Sequence, residues 1–335
     1  QASRNEIARR DGRLSEMIVW SVTTGEAGMR SQALGLAEAL GLPFEERRIG
    51  LRAPWSWLPG HLCPFPLAGL DPAHDRLSPP WPDVLITCGR RSTAVSIAIR
   101  RLSRGKTLTV HLQYPQTPLS AFDLVIAHPH DGVDGENVLL VETALHRVTP
   151  DVLSQARIQF APAFAALPSP RLGVLLGGRT KNGGFRTSDV EALLSGLDAH
   201  LDQGGSVLIT PSRRTEAHVT AALRERYAEN PQVFLWDGSG DNPYFGILAF
   251  ADHMLVTADS VSMVSEAIGT GLPVDVFPLE GLGRRHKLLL DRLEQLGHVG
   301  RFGAPEPTHR PPPLPSATLV AAERVRLMLA ARSRR

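Results

Sequence analysis

The run TADSVSMVSEAIGTGLPVDVFPL, residues 257–279, places anion-binding and sugar-binding residue types at helical spacing. Asp259 and Ser260 end an apolar stretch, and their side-chain oxygens suit the free amide hydrogens of a helix entrance. Asp259, Ser262 and Glu266 then fall at i, i+3 and i+7, while Val261, Val264 and Ile268 keep the same spacing on a second face. A helix entrance attracts phosphate through its unpaired amides and macrodipole. Glu266 lies two turns further on, where a carboxylate repels phosphate but accepts two hydrogen bonds from a ribose diol, the division of labour in dinucleotide sites. The competing reading of the same polar stripe is a solvated helix face. Gly271 and Pro273 stop the helix and return the chain to an apolar strand.

Two further loops carry phosphate chemistry. In GGRTKN, residues 177–182, Gly177 and Gly178 permit close backbone approach, and Arg179 and Lys181 add positive charge. The order is not that of a Walker A loop, and a glycine-rich turn alone is often only a turn. Ser212, Arg213, Arg214 and Thr215 open a later helical stretch, where an arginine suits diphosphate geometry. For Arg214 a solvated basic turn is an equal alternative.

The elements that must hold these loops read as a parallel α/β fold. MIVWSV, DVLITC, TLTVHL and FDLVIA are expected strands in the first half, with helical periodicity between them. RLGVLL, SVLITP, VFLWDG, HMLVTA and PVDVFP repeat the pattern in the second. The expected organisation is a loose charged arm at 1–16, a Rossmann-like acceptor-side domain at 17–160 and a proline-punctuated linker at 161–171. A Rossmann-like nucleotide domain follows at 172–310, then a C-terminal helix at 311–335. Two doubly wound domains facing a cleft hold ligand at the carboxyl ends of their strands.

Composition narrows the class. The 335 residues suffice for two domains, and 36 basic against 34 acidic residues, a formal charge of +2, argue against a nucleic-acid partner. Cys63 and Cys88 lack CxxC spacing, which gives neither a disulfide framework nor a zinc site and makes a reducing cytoplasm the expected home. The first sixteen residues lack the apolar core of a secretory signal, and no apolar run approaches the ~20 residues that cross a bilayer. His128 and His130, with Asp131 beside them, are read as ordinary hydrogen-bonding residues of a turn, and no metal is assigned. His111, closing TLTVHL, is expected to point into the crevice.

Taken together, TTGEAGMRSQALGLAEALG from Thr23, TCGRRS from Thr87, GGRTK, TPSRRT from Thr210, and DNPYFGILAFAD followed by TADSVSMVSEA resemble a family. It is the mitochondrial-fission family named for elongated mitochondria, here as a bacterial member, and is itself related to type-B glycosyltransferases of the muramyl-lipid N-acetylglucosaminyltransferase kind. The resemblance covers most of residues 17–302. It implies the GT-B architecture, a nucleotide-sugar half in the C-terminal domain, and a ribose-binding acidic residue at the position of Glu266. It also implies that Asn242 and Tyr244 lie in a loop near the base. The loop at 23–30, with Gly25, Gly28 and Arg30, then becomes the acceptor side, together with Arg90 or Arg91 at a second helix entrance. The transferase carries GGTGGH in that loop with histidine as base, whereas this chain has Met29 there. Glu26 is the candidate base in its place, a carboxylate whose pKa a desolvated cleft would raise, unless it only satisfies neighbouring amides.

The function expected is a cytoplasmic, peripheral glycosyltransferase-like protein that binds a UDP-sugar or similar nucleotide sugar and transfers it to a lipid-linked or membrane-associated acceptor. Fixed donors replace a metal in this reading, and no cofactor is required. The alternative is a non-catalytic adaptor recruiting a division or fission partner to a membrane, a role plant relatives support. Residues 52–70, rich in Trp, Leu, Phe and Pro, are expected to pack under the first domain, or else to meet lipid or protein. The C-terminal Arg332, Arg334 and Arg335 are expected either to stay solvated on a docked helix or to touch anionic lipid.

Overall fold

The computed structural model of the chain describes residues 16–181, 183–304 and 311–334. The charged arm assigned to 1–16 lies outside the described residues except for Glu16, as do Asn182 and Arg335. The chain divides into two compact units, residues 1–147 with 315–335, and residues 148–314.

The first unit is built on a six-stranded, all-parallel sheet in the order β2-β1-β3-β4-β5-β6. Its strands are β1 (Val19–Thr23), β2 (Phe44–Arg48), β3 (Val84–Cys88), β4 (Leu108–Leu112), β5 (Leu124–Ala127) and β6 (Val138–Leu140). β1, β3, β4 and β5 are apolar runs buried along their whole length, as strands covered on both faces must be. Helices α1 (Ala27–Leu40) and α2 (Thr93–Leu102) follow β1 and the turn after β3. β1 has β2 on one side and β3 on the other, so the chain reverses its direction of winding there.

The second unit repeats the scheme with β12-β11-β10-β7-β8-β9, again all parallel. Its strands are β7 (Arg171–Leu176), β8 (Ser206–Pro211), β9 (Val233–Leu235), β10 (His253–Thr257), β11 (Val274–Phe277) and β12 (Gly300–Arg301). Its helices are α3 (Pro150–Phe164), α4 (Thr187–Asp202), α5 (Ala217–Tyr227), α6 (Tyr244–Phe250), α7 (Val261–Ile268) and α8 (Arg284–Gln295). β7 lies between β8 and β10, which puts the reversal between β7 and β10.

Two expectations are corrected, and the docking of the C-terminal helix is specified. The linker assigned to 161–171 begins inside α3, so the units divide at residues 147 and 148 instead. Pro162 sits within that helix, and the helix holds because Phe164, fully buried, packs edge-on against Phe234 at 4.8 Å and Phe250 at 5.6 Å. Burying one such ring contributes about 1.5–3 kcal/mol, comparable to the roughly 3 kcal/mol that an interior proline costs. The C-terminal helix α9 (Ala317–Arg332) belongs to the first unit, where Ala321, Ala322, Val325 and Leu329 join Ala33, Leu36 and Ala37 of α1 in one core. Arg332 there lies 3.1 Å from Asp123 and keeps its side chain 35% exposed.

The second correction concerns residues 52–70. They form three 3₁₀ turns whose large side chains face outward: Trp57 is 78% exposed, Phe65 84%, Leu62 63% and Leu58 42%. Proline spacing denies the segment a continuous apolar face: Cys63 and Pro66 are buried, and Trp55, Leu67 and Leu70 are partly so.

Candidate functional site

In an open parallel sheet the loops that diverge at a winding reversal leave a crevice at the strand carboxyl ends. In the second unit those loops are the ones after β7 and β10, flanked by the loop after β8. They are stitched together by hydrogen bonds. The Gly177 amide donates to Thr257 Oγ1 at 2.7 Å, and the Gly178 amide to Asp259 Oδ2 at 3.0 Å. From the β8 loop, Ser212 Oγ donates to the Gly177 carbonyl at 3.2 Å and Thr215 Oγ1 to that of Leu176 at 3.0 Å, and in return the Arg179 amide of the β7 loop donates to the Arg214 carbonyl at 2.9 Å.

This packing explains the glycines. A Cβ on Gly177 would overlap both carboxylate oxygens of Asp259, and one on Gly178 the carbonyl of Arg214. Only hydrogen side chains let the three loops meet.

Asp259 is the electrostatic centre of the junction. Arg214 places a guanidinium nitrogen 2.7 Å from Oδ2; the arginine side chain is 43% exposed and the aspartate side chain 1%. Asp259 Oδ1 is buried with no hydrogen-bond partner among the described residues. His286, on the first turn of α8, feels the same pair: burial lowers its pKa, with Asp259 raising it and Arg214 lowering it further. The outcome is a half-exposed cation held by a buried anion, beside the exposed Arg179 and Lys181.

The helix after β10 begins as its sequence dictates. Ser260 caps α7, its Oγ accepting from the Met263 amide at 3.4 Å, and Ser262 is partly exposed on the first turn. Glu266 is only 5% exposed and its Oε2 accepts the hydroxyl hydrogen of Tyr244, the first residue of α6. Burial, then the nearby carboxylate charge, holds the Tyr244 phenol well above its usual pKa. Asn242 fixes the entry to α6, its Oδ1 accepting from the Tyr244 amide at 3.0 Å.

Of the second-unit residues predicted to bind a nucleotide, Gly177, Gly178, Ser212 and Asp259 come together directly, and Arg179 joins them through its amide. Ser260 and Ser262 continue from Asp259 into α7. Arg213 and Lys181 are exposed on their loops. Glu266 is enclosed with Tyr244, against the competing reading of a solvated stripe, because Val264 and Ala267 beside it enter the core. Arg214, weighed as a solvated turn, is the arginine that reaches Asp259. His286 was missed; its only sequence signal is the basic run RRHK, residues 284–287, at a helix start.

The acceptor-side candidates of the first unit cluster at its own winding reversal. Gly25 adopts φ +91°, and Gly28 lies in the first turn of α1. Met29 packs its sulfur against Gly89, where a Cβ would overlap it and φ is +82°. Glu26 is not desolvated: its side chain is 47% exposed, it accepts from the Thr24 hydroxyl, and Arg91 stands 4.0 Å away. Arg30 is engaged by Glu46 of β2, with 2.8 Å between Nη2 and Oε2, while Arg90 is exposed. His111 does not face a crevice. It is fully buried, bonded through Nδ1 to Thr87 at 2.9 Å and tilted on Phe122 at 4.9 Å, and burial pushes its pKa down to about 3.

Among solved structures, UDP-GlcNAc 2-epimerase from Neisseria meningitidis, bound to UDP-GlcNAc, is similar with a TM-score of 0.58 and 13% identity, covering 94% of this chain and 100% of that one. Os79 from O. sativa in complex with UDP gives 0.53 and 13%, covering 92% and 89%. These likenesses show the fold, an α/β architecture of the GT-B type. A relative from Rickettsia prowazekii, uncharacterized protein RP120, is 28% identical over 249 residues, 63% of this chain and 69% of that protein. The mitochondrial fission protein ELM1 of Arabidopsis thaliana is 33% identical over 277 residues, 75% of this chain and 65% of its own length, so the chain spans less than two thirds of that relative. Residues 27–328 match the family described as mitochondrial fission ELM1, and a match over that much of the chain makes it a member of that family.

Proposed function

We propose that the second unit binds a nucleotide-diphosphate sugar at the carboxyl ends of β7, β8 and β10. The observation that carries this reading is the Gly177-Gly178 junction, where Asp259 holds Arg214 half exposed beside the cations of the glycine loop. A planar guanidinium in a fixed position suits a diphosphate. The buried Asp259 carboxylate keeps it there and lowers the entropy lost when an anion arrives. Glu266 receives the ribose in this reading, with the Tyr244 hydroxyl orienting its carboxylate. Similar proteins of the same fold hold UDP and UDP-GlcNAc.

Calorimetric titration of UDP and UDP-sugars tests the site. Wild type is expected to bind, Arg214→Ala to lose about tenfold or more in affinity, and Glu266→Ala a similar factor. Absence of UDP binding to the wild type, or unchanged affinity in both variants, removes the proposal.

Transfer of the sugar to a membrane-associated acceptor is the finer part of the reading, with Glu26 as its base and Gly25, Gly28, Arg30 and Arg90 on the acceptor side. Protein incubated with nucleotide sugars and membrane lipids should release UDP, and Glu26→Gln should abolish that release. A second reading is favoured by two observations. Met29 is packed on Gly89 where the related transferase has a histidine, and Glu26 is half exposed. On that reading the chain is a non-catalytic adaptor for a division or fission partner, and nucleotide binding persists without UDP release.

A further inference from the structure

The outward face of residues 52–70 is assembled rather than loose. Trp55 donates its indole hydrogen to the Pro64 carbonyl at 2.8 Å, and its ring occupies the space a side chain at Gly69 would need. Gly60 presses on Thr93 at the start of α2 so closely that a Cβ would overlap its hydroxyl. The frame is therefore anchored, and it presents Trp57, Leu58, Leu62 and Phe65 to solvent. Phe65 has φ +45°, a left-handed conformation in which glycine or asparagine costs least and a bulky aromatic ring is uncommon. A chain that places phenylalanine there, 84% exposed, gains nothing from it within its own core.

Charge identifies what covers this face. Because Gly60 sits against Thr93, the apolar tip adjoins the short turn Arg90–Ser92, whose Arg90 and Arg91 are both exposed. Exposed Trp and Phe beside guanidinium groups match the layered chemistry of an anionic bilayer surface, with acyl chains beneath and phosphates above. Separate side chains projecting from successive turns suit a fluid lipid surface.

We propose that Trp57, Leu58, Leu62 and Phe65, with Arg90 and Arg91 beside them, form an interfacial anchor that seats the first unit reversibly on anionic lipid. Apolar insertion and guanidinium attraction supply two weak signals, which is what reversible attachment needs. The inference stands on the first unit alone and does not depend on nucleotide binding in the second.

Flotation of the full chain with vesicles of phosphatidylcholine, or of phosphatidylcholine with phosphatidylglycerol, tests it. Wild type is expected to float with the anionic vesicles and to be released by salt. Trp57→Ser with Phe65→Ser, and separately Arg90→Ala with Arg91→Ala, should each weaken binding by about tenfold or more. Phe65→Gly separates anchoring from folding: its melting temperature should hold or rise while binding falls. With brominated lipid, Trp fluorescence should be quenched in wild type and much less in Trp57→Phe. The proposal is overturned if wild type ignores anionic vesicles or if the serine variant binds them as wild type does. It is equally overturned if lipid-free protein is a dimer that the serine substitutions dissociate, since the patch would then face a second copy.

Discussion

Asp259 and Arg214 form an unequal ion pair, 2.7 Å apart, in which the aspartate is sealed at the junction of three loops and the arginine still reaches solvent. The same Asp259 oxygen accepts the Gly178 amide, so one buried carboxylate fixes both a glycine loop and a cation. Removing the cation leaves that charge buried with an amide as its remaining partner. Arg214→Ala is expected to lower the unfolding free energy by about 1–3 kcal/mol, below the range for fully buried pairs because the arginine is half exposed. Adding Asp259→Asn should recover part of the loss, and urea unfolding of the single and double variants reads the coupling.

Gly177→Ala tests the same junction through space instead of charge. The added methyl group would meet a carboxylate that Arg214 and Gly178 hold in place. The expected cost is about 1–3 kcal/mol, seen as a lower melting temperature, together with weaker UDP binding. An unperturbed melting temperature would show that the loops separate easily and that their close approach is not required.

Tyr244 makes stability depend on alkaline pH. Its folded-state pKa lies well above the unfolded value, so the protonated form stabilises the fold. That contribution is complete below about pH 10 and declines as pH rises beyond it, where the unfolded phenol ionises and the folded one does not. Unfolding free energies measured through this range should fall more steeply in wild type than in Tyr244→Phe. At neutral pH the phenylalanine variant should be less stable by about 1–2 kcal/mol, because Glu266 loses a donor.

His111 acts at the opposite end of the scale. Burial holds its folded pKa near 3, so the neutral ring stabilises the fold fully above the unfolded value of about 6.5. Below that pH the unfolded state takes up a proton the folded state refuses, and stability falls by up to about 1.4 kcal/mol per pH unit. Replacing His111 by Gln should flatten the profile between pH 6.5 and 4.5 in urea titrations. The remaining slope belongs to other groups, among them His128 and His286, which burial also lowers.

The central strands were legible because both of their faces are covered, which leaves uninterrupted apolar runs such as VLITC and RLGVLL. The loops at their carboxyl ends were legible for a related reason: glycine, serine and aspartate directly after such a run are demanded by backbone approach and helix capping, both local effects. Three edge strands were not, since β2 is FEERR, largely exposed, and β6 and β12 are two or three residues long. An edge strand takes its conformation from the neighbour it pairs with, a pairing that the edge strand's own residues do not record.

By itself, then, the sequence determined the parallel α/β class, the positions of its central strands along the chain, the helix that carries Glu266 and the family. Tertiary structure alone decided that Arg214 reaches Asp259 while Arg213 stays exposed, that Glu266 is enclosed with Tyr244, and that His111 is buried. It also decided that Pro162 lies within a helix and that Trp57 and Phe65 stand in solvent. Periodicity and capping act over a few residues and are written in neighbouring letters. Which of two adjacent arginines finds a carboxylate 45 residues away, or which aromatic ring finds a core, depends on how distant segments pack.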